Sequence, residues 1–286
     1  MDSAKAFNGV AGNPHPARTS DIRETRAAVA PCGIAIMAKA SAPGRTKTRL
    51  VPPLTFEQAA ALNTAFLQDI ADNLIGAGQH AGIAGYAAYG PPGSEEFFSR
   101  TLPPTIGLVD AWLPNFGDCL LRAMHAMFAR GHAAAVVLNS DSPTLPTALL
   151  IETAELLARP GERAVLGPST DGGYYLLGLK AAHRRLFEDI TWSTDRVAAQ
   201  TLARARELKL DVHVLPAWYD IDDIGDLRRL SEELRRSASP GRRVDSHAPH
   251  HPRRTAALMH SLGLEGALGR GELENVGQAE SERGAA

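Results

Sequence analysis

What most constrains the fold of this chain is the way its hydrophobic period switches back and forth along the middle of the sequence. Gly33-Ile-Ala-Ile-Met-Ala38 is a short apolar run of buried-strand type, and Thr55 then opens a helix with Leu62, Phe66, Ile70 and Leu74 on one face. Strand-like runs follow at 83–89 and 105–109. A helix is predicted over 118–130, where Leu120, Leu121, Met124, Met127 and Phe128 form a stripe. The pattern continues with a strand at 133–138, a helix at 147–158, strands at 164–166 and 174–179, a helix at 194–209, a strand at 212–215 and a helix at 224–236. Strands alternating with helices predict an α/β fold: one Rossmann-like, three-layer α/β/α domain around a mostly parallel sheet. Ligands of such sheets bind beyond the carboxyl ends of the strands, so the loops leaving the strands are where chemistry is expected.

The flanks read differently. Residues 1–31 mix Asn, Pro, His and scattered charge without an apolar period, and are expected as a disordered N-terminal tail. Asp2, Asp21 and Glu24 argue against a targeting segment there. Past Arg236 the run Ser-Ala-Ser-Pro-Gly-Arg-Arg opens a His/Arg-rich tract, so 237–286 is expected as a flexible C-terminal tail in which a short helix over 255–264 is the most order allowed. The folded core is thus placed at 32–236.

Composition removes several functions. A formal net charge of −2 supplies no overall field for nucleic acid or an anionic membrane. No run approaches the length of a membrane span and no apolar signal segment opens the chain, which leads to the expectation of a cytoplasmic protein with neither nucleic acid nor membrane as partner. Cys32 and Cys119 have no disulfide or zinc spacing, and no nucleophile elbow or Cys/His pairing is visible.

Three loops carry candidate chemistry. Lys39-Ala-Ser-Ala-Pro43-Gly44-Arg45-Thr-Lys47-Thr-Arg49 follows the first strand, and if extended beyond the Pro-Gly turn it aims Arg45, Lys47 and Arg49 to one side, with Lys39 beside them. Forked Arg donors and a Lys point charge suit a polyphosphate, although the loop lacks the glycines of a P-loop; a solvated basic loop is the plain alternative. Asn139-Ser140-Asp141-Ser142-Pro143 follows the 133–138 strand and offers a hard carboxylate for Mg²⁺ or Mn²⁺. Asp220, Asp222, Asp223 and Asp226 lie where the last helix begins; Asp222 or Asp223 could cap that helix, but four are more acid than one cap requires, and together with Asp141 they offer a two-carboxylate clamp for the ion. Gly167-Pro-Ser-Thr-Asp171-Gly172-Gly173-Tyr174-Tyr175 joins two strands; the paired glycines allow close backbone approach to a ligand and Asp171 is a candidate base, unless the segment is a simple Asp-Gly hairpin turn. Trp192-Ser193-Thr194-Asp195 precedes a helix, and its Ser193 or Thr194 is either a helix cap or an acceptor contact.

In their order, Lys39-x3-Pro43-Gly44-Arg45-x-Lys47-x-Arg49-Leu50, Ser140-Asp141-Ser142-Pro143-x-Leu145-Pro146, Gly167-Pro168-x2-Asp171-Gly172-Gly173-Tyr174-Tyr175, Trp192-Ser193-Thr194-Asp195 and Asp220-Ile-Asp222-x3-Asp226-Leu227 resemble a group of bacterial glycosyltransferase-like proteins. That group has the GT-A, nucleotide-diphospho-sugar transferase fold, and some members are associated with arsenosugar biosynthesis. The first and last motifs also resemble phospholactate guanylyltransferase and, more distantly, molybdenum-cofactor guanylyltransferase. The resemblance spans about 33–235. It implies a nucleotide site at Lys39, Pro43, Gly44, Arg45, Lys47 and Arg49, and a metal at Asp141 and Asp222. It further implies catalytic roles for Lys47 and Asp171, and acceptor contacts at Asp171, Gly172, Gly173, Tyr174, Trp192 and Ser193. One departure stands out: Asn139-Ser140-Asp141 has a single carboxylate where many GT-A glycosyltransferases carry Asp-x-Asp.

The expected function is a Mg²⁺-dependent (or Mn²⁺-dependent) nucleotide-binding transferase. A glycosyltransferase with a nucleotide-sugar donor and a small-molecule acceptor leads. A nucleotidylyltransferase releasing pyrophosphate from a nucleoside triphosphate is the alternative, and a noncatalytic nucleotide-binding module the third reading.

Overall fold

The computed structural model describes residues 30–237 and 247–264. The N-terminal tail expected over 1–31 lies outside them except for Ala30 and Pro31, as do 238–246 and 265–286 of the expected C-terminal tail.

Seven strands, β1 (Cys32–Lys39), β2 (Ile83–Gly90), β3 (Gly107–Asp110), β4 (Ala134–Leu138), β5 (Ala164–Pro168), β6 (Tyr174–Leu179) and β7 (Val212–Val214), form one sheet in the order β3-β2-β1-β4-β6-β5-β7. β1 runs parallel to β2 and β4, β2 parallel to β3, and β5 parallel to β7. β6 alone is antiparallel to its neighbours β4 and β5. The α/β architecture expected from the sequence is therefore the one present.

Strand alternation feeds two separate cores. Ile34, Ile36, Val136, Leu138 and Leu176 turn to one face, where α1 (Phe56–Gly78) and α4 (Thr147–Ala158) cover them. Ala35, Ala135, Val137, Leu177 and Leu179 turn to the other, under α3 (Phe116–Ala129) and α5 (Val197–Glu207). α1 starts where Thr55 predicts it, because the Thr55 hydroxyl accepts from Gln58 N at 3.2 Å and the Gln58 side chain accepts from Thr55 N at 2.9 Å. The short α2 (Glu95–Thr101) was not legible in the periodicity: its seven residues are too few to show a stripe, and its buried anchor is Phe98.

The C-terminal segment corrects an expectation. Residues 247–264 pack on the domain. α6 (Ile224–Ser237) and α7 (Arg253–Ser261) share a third apolar cluster with α1, built from Phe66, Leu227, Leu230, Leu234, Met259 and Leu264. The buried Asp69 carboxylate of α1 accepts from the first backbone amides of α7, Arg254 N at 2.9 Å and Thr255 N at 2.8 Å. The short helix allowed over 255–264 is present, but its docking was hidden because its cap comes from another helix, far off in sequence. Upstream of α7, His250 N donates to Thr144 O at 3.0 Å, and Trp218 Nε1 donates to Thr144 Oγ1 at 3.2 Å. The segment thereby braces the loop that leaves β4. Among the described residues no helix is long and apolar enough to cross a membrane.

Candidate functional site

Parallel strands deliver their carboxyl ends to one edge of the sheet, and a cleft of about 370 Å³ opens there. Lys39 at the end of β1, Gly90 at the end of β2, Trp112 just past β3 and Asp141 just past β4 line it, together with Asn63 of α1 and Phe116 of α3. Its size is that of a small-molecule site.

The basic loop reaches this cleft by a route other than the extended one expected. Arg45 N and Thr46 N both donate to Ala42 O, at 3.1 and 3.2 Å, closing a turn over Pro43 and over Gly44, whose φ is +72°. Lys47 follows in the left-handed region (φ 51°, ψ 39°), and Thr48–Leu50 form one 3₁₀ turn. A period of two therefore does not apply; the cations converge because the chain coils. Lys39, Arg45, Lys47 and Arg49 all line the cleft, whereas Pro43 and Gly44 shape the turn outside its lining. Leu50, fully buried, anchors the far end in the third cluster.

The two carboxylates singled out as metal ligands do meet. Ile221 N donates to Asp141 O at 2.9 Å, which lays the segment after Trp218 beside the exit of β4 and brings Asp222 next to Asp141. The four clustered aspartates then divide by hydrogen bonding. Asp226 accepts from the amides of Asp222 and Asp223 at 3.0 and 3.1 Å, and Asp223 accepts from Asp226 N at 3.1 Å, a reciprocal cap for α6. Asp222 is left facing the cleft. Asp220 is pushed up to about 7, first by its own burial and then by the negative charges of Asp141, Asp171 and Asp222.

Between Asp141 and Asp222 sits Lys47. Its ammonium donates to Asp141 Oδ2 and to Asp222 Oδ1, both at 2.8 Å, and its side chain is only 7% exposed. Burial works to lower the Lys47 pKa, but the two adjacent carboxylates outweigh it and hold the group above its ordinary value. Arg49 Nη1 lies 3.6 Å from the other Asp222 oxygen. Among the described residues no group of three or more His, Cys, Asp or Glu is arranged to hold a metal. Two carboxylates suffice for Mg²⁺, which keeps waters and takes the rest of its ligands from phosphates. The donor set fits such an ion on one condition, that Lys47 gives up the point where the two carboxylates converge.

None of the expected acceptor residues lines this cleft. Ser169 N donates to Gly173 O at 3.0 Å and Gly172 N to Ser169 O at 3.2 Å, so Asp171-Gly172 is the turn of the β5–β6 hairpin. Asp171 accepts from Gly173 N at 2.9 Å, and its charge bears on Asp220. Gly172 is needed for packing within the protein: with φ +91°, a Cβ there would lie 2.1 Å from Asp195 O. Tyr174 packs in the second core layer, where burial raises the pKa of a hydroxyl that has no hydrogen-bond partner. Trp192 lies edge-on to Phe116, their ring centroids 5.2 Å apart. Ser193 takes a left-handed φ of 62° without capping α5, which begins at Val197.

Several cleft residues escaped the sequence reading. Trp112 and Phe116 are 38% and 49% exposed, and the Lys39 ammonium lies 5.5 Å from the Trp112 ring centroid. Large aromatics just after a predicted strand were the available signal. Asn63 lay inside a helix stripe and donates to Ser41 Oγ at 2.9 Å, steadying the basic loop.

Residues 74–194 match a family described as an uncharacterized protein conserved in bacteria, DUF2064. A solved protein of Desulfovibrio desulfuricans G20, named "putative nucleotide-diphospho-sugar transferase", is 29% identical over 82% of this chain and 96% of its own, with a TM-score of 0.68. The fold is that of the nucleotide-diphospho-sugar transferases. A cytidylyltransferase from Leptospira borgpetersenii serovar Hardjo-bovis is 12% identical over 83% of this chain and 96% of its own, with a TM-score of 0.47. A CMP:2-keto-3-deoxy-manno-octonic acid synthetase complexed with CTP is 12% identical over 72% of this chain and 99% of its own, with a TM-score of 0.45. No curated protein matches the sequence.

Proposed function

We propose that this chain is a nucleotide-binding transferase that moves a sugar from a nucleotide-sugar donor to a small-molecule acceptor. The observation that carries the reading is the meeting of Lys39, Arg45, Lys47 and Arg49 with Asp141 and Asp222 in one cleft at the carboxyl ends of the parallel strands. The name of the Desulfovibrio desulfuricans relative supports a diphospho-sugar as the ligand class.

As the acceptor oxygen bonds to the anomeric carbon the anomeric C–O bond breaks, and negative charge gathers on the departing nucleoside diphosphate, whose phosphate oxygens can take up the proton the acceptor releases. Arg45 and Lys39 stand where they can hold those phosphates, and Arg49 and Lys47 add charge beside Asp222. A divalent cation on Asp141 and Asp222 would supply further neutralisation of the same charge. Trp112 and Phe116 offer apolar ring faces that keep water from one wall of the cleft. Asp171, expected as the proton acceptor, is turned to Gly173 N, so the reading asks nothing of it at the leaving group.

Nucleotidyl transfer is the second reading, and two observations favour it. Four cations line the cleft, a match for a triphosphate, and the paired carboxylates come from two distant segments instead of one Asp-x-Asp. Both readings are tested by thermal melting of the full chain with Mg²⁺ against nucleotide sugars and nucleoside triphosphates. A ligand at 100 times its Kd adds roughly 2.7 kcal/mol, or about 5–11 °C for a domain of this size. A Mg²⁺-dependent shift with one nucleotide sugar supports glycosyl transfer; a shift with one triphosphate alone selects nucleotidyl transfer. No shift with any member of either class would sink both.

A further inference from the structure

Three features of the molecule lie beyond the reading above. The hollow beside Trp192, lined by Arg184, Arg185, Asp118 and Asp189, is already knitted by its own ion pairs, such as Arg185 to Asp189 at 2.6 Å. The contact of His213 and His247 with Glu152 is long, 3.6 and 3.4 Å, and open to solvent. The Lys47 bridge is short, part-buried and central to the cleft.

We infer that Lys47 and a divalent cation compete for one position, so that metal enters only when a polyphosphate draws the ammonium away. The inference rests on the transferase reading and names how its site is loaded. Mg²⁺ binds carboxylate oxygens at about 2.0–2.1 Å, and Asp141 Oδ2 and Asp222 Oδ1 already share one cation 2.8 Å from each. An ion joining these two oxygens would lie within about 5 Å of Lys47 Nζ wherever it sat around them, two cations sharing the same pair of acceptors. Turning Asp222 would present an oxygen that already faces a second cation, Arg49, at 3.6 Å. Electrostatics argues the same way. Two carboxylates are matched by Lys47 and Arg49, and a doubly charged ion added to that balance leaves an excess of positive charge in a partly buried place.

A polyphosphate in the cleft changes the balance. It brings the negative charge that the added ion requires, and it offers Lys47 a new acceptor beside Arg45 and Lys39 on the same wall. The lysine can make the exchange: its ammonium has three donors on a flexible four-carbon stem, whereas an arginine fork would be tied to one geometry. Thr46 and Thr48, on either side of it, also line the cleft, so a modest rotation of the side chain keeps the charge inside. The binding of metal and the binding of nucleotide become one coupled event. A protein built this way does not take up divalent cations without their phosphate partner.

The test measures Mn²⁺ alone on the full chain, without nucleotide, by the loss of the free-ion electron paramagnetic resonance signal. The wild type is expected to bind weakly, and Lys47→Met to bind at least tenfold more tightly. Lys47→Gln, which keeps a donor between the carboxylates while losing the charge, guards against a fold lost to their repulsion; circular dichroism melts report that directly. Adding Asp141→Asn to either variant must abolish the gain. Wild-type protein that binds Mn²⁺ with micromolar affinity on its own overturns the inference, as do lysine variants that bind no better than wild type, or a gain that survives the loss of Asp141. A nucleotide panel without any shift, beside an intact lysine effect, would instead sink the transferase reading alone.

Discussion

The Asp220 carboxyl, pushed up to about 7 by burial and by Asp141, Asp171 and Asp222, lets the acidic side of the cleft be tested without any ligand. In the unfolded chain the same group titrates near 3.8. Between these values the unfolded state has lost a proton that the folded state still holds, so this group lowers stability as pH rises from about 4, and the loss is complete once pH passes the folded value. A shift of roughly three units corresponds to at most about 4 kcal/mol, and screening by solvent on the partly exposed group brings this nearer 2 kcal/mol. Asp220→Asn carries no charge at any of these pH values and escapes the loss. Scanning calorimetry of wild type and variant from pH 4 to 8.5 should therefore give a melting difference that grows in favour of the variant with pH. By pH 8 the gain should reach about 4–8 °C over its value at pH 4, because 1 kcal/mol moves the midpoint of such a domain by about 2–4 °C. Taking the difference cancels every other group that titrates alike in both proteins. A difference that is flat across the range, or that shrinks toward high pH, would refute the placing of Asp220 among these carboxylates.

The remaining predictions concern the cleft and its supports. Arg45→Ala should weaken nucleotide binding about tenfold or more in titration calorimetry, the value of a charge-assisted phosphate contact; an unchanged Kd would return the basic loop to solvent. Asp141→Asn should abolish any Mg²⁺-dependent part of the nucleotide thermal shift, and a shift of full size in that variant would remove Asp141 from the metal pair. Asp69→Ala should cost about 2 kcal/mol and speed amide exchange across 253–261, since two amides of α7 lose their acceptor; exchange at the wild-type rate would mean that packing alone holds the helix. Gly172→Ala should destabilise by about 3 kcal/mol in urea unfolding, from the strained backbone and the contact with Asp195 O, and a loss below about 1 kcal/mol would show the hairpin turn to be compliant.

How far the sequence could carry this reading depends on how local each cause is. The strand and helix pattern was legible because burial on a sheet repeats every two residues and on a helix every 3.6, so Ile34, Ile36 and the stripe from Leu62 to Leu74 announce their own partners. The basic loop was legible in its residues and misread in its shape: charge is written in the side chains, but the coil that gathers them depends on Ala42 O taking two amides and on Leu50 being swallowed by a distant cluster. The glycine-rich turn failed in the opposite way. Its paired glycines announce a close approach without saying to what, and here the approaching group is the Asp195 backbone.

The aspartates after Trp218 show where the limit lies. Counting them revealed more acid than a helix cap can use, which was enough to expect a second carboxylate in the cleft. The count alone does not choose among them; the family resemblance pointed to Asp222, and the cap supplies the physical reason. Asp223 and Asp226 are consumed by each other's amides, and only then is Asp222 left to face Asp141. The lysine that joins the pair is 94 residues from one partner and 175 from the other, separations at which no period or spacing rule operates. Its presence there was foreseeable only as charge. That a cation of the phosphate loop sits on the carboxylates themselves is a fact of the folded chain, and it turns two sequence motifs, read separately as a nucleotide cradle and a metal clamp, into one ion-exchange site.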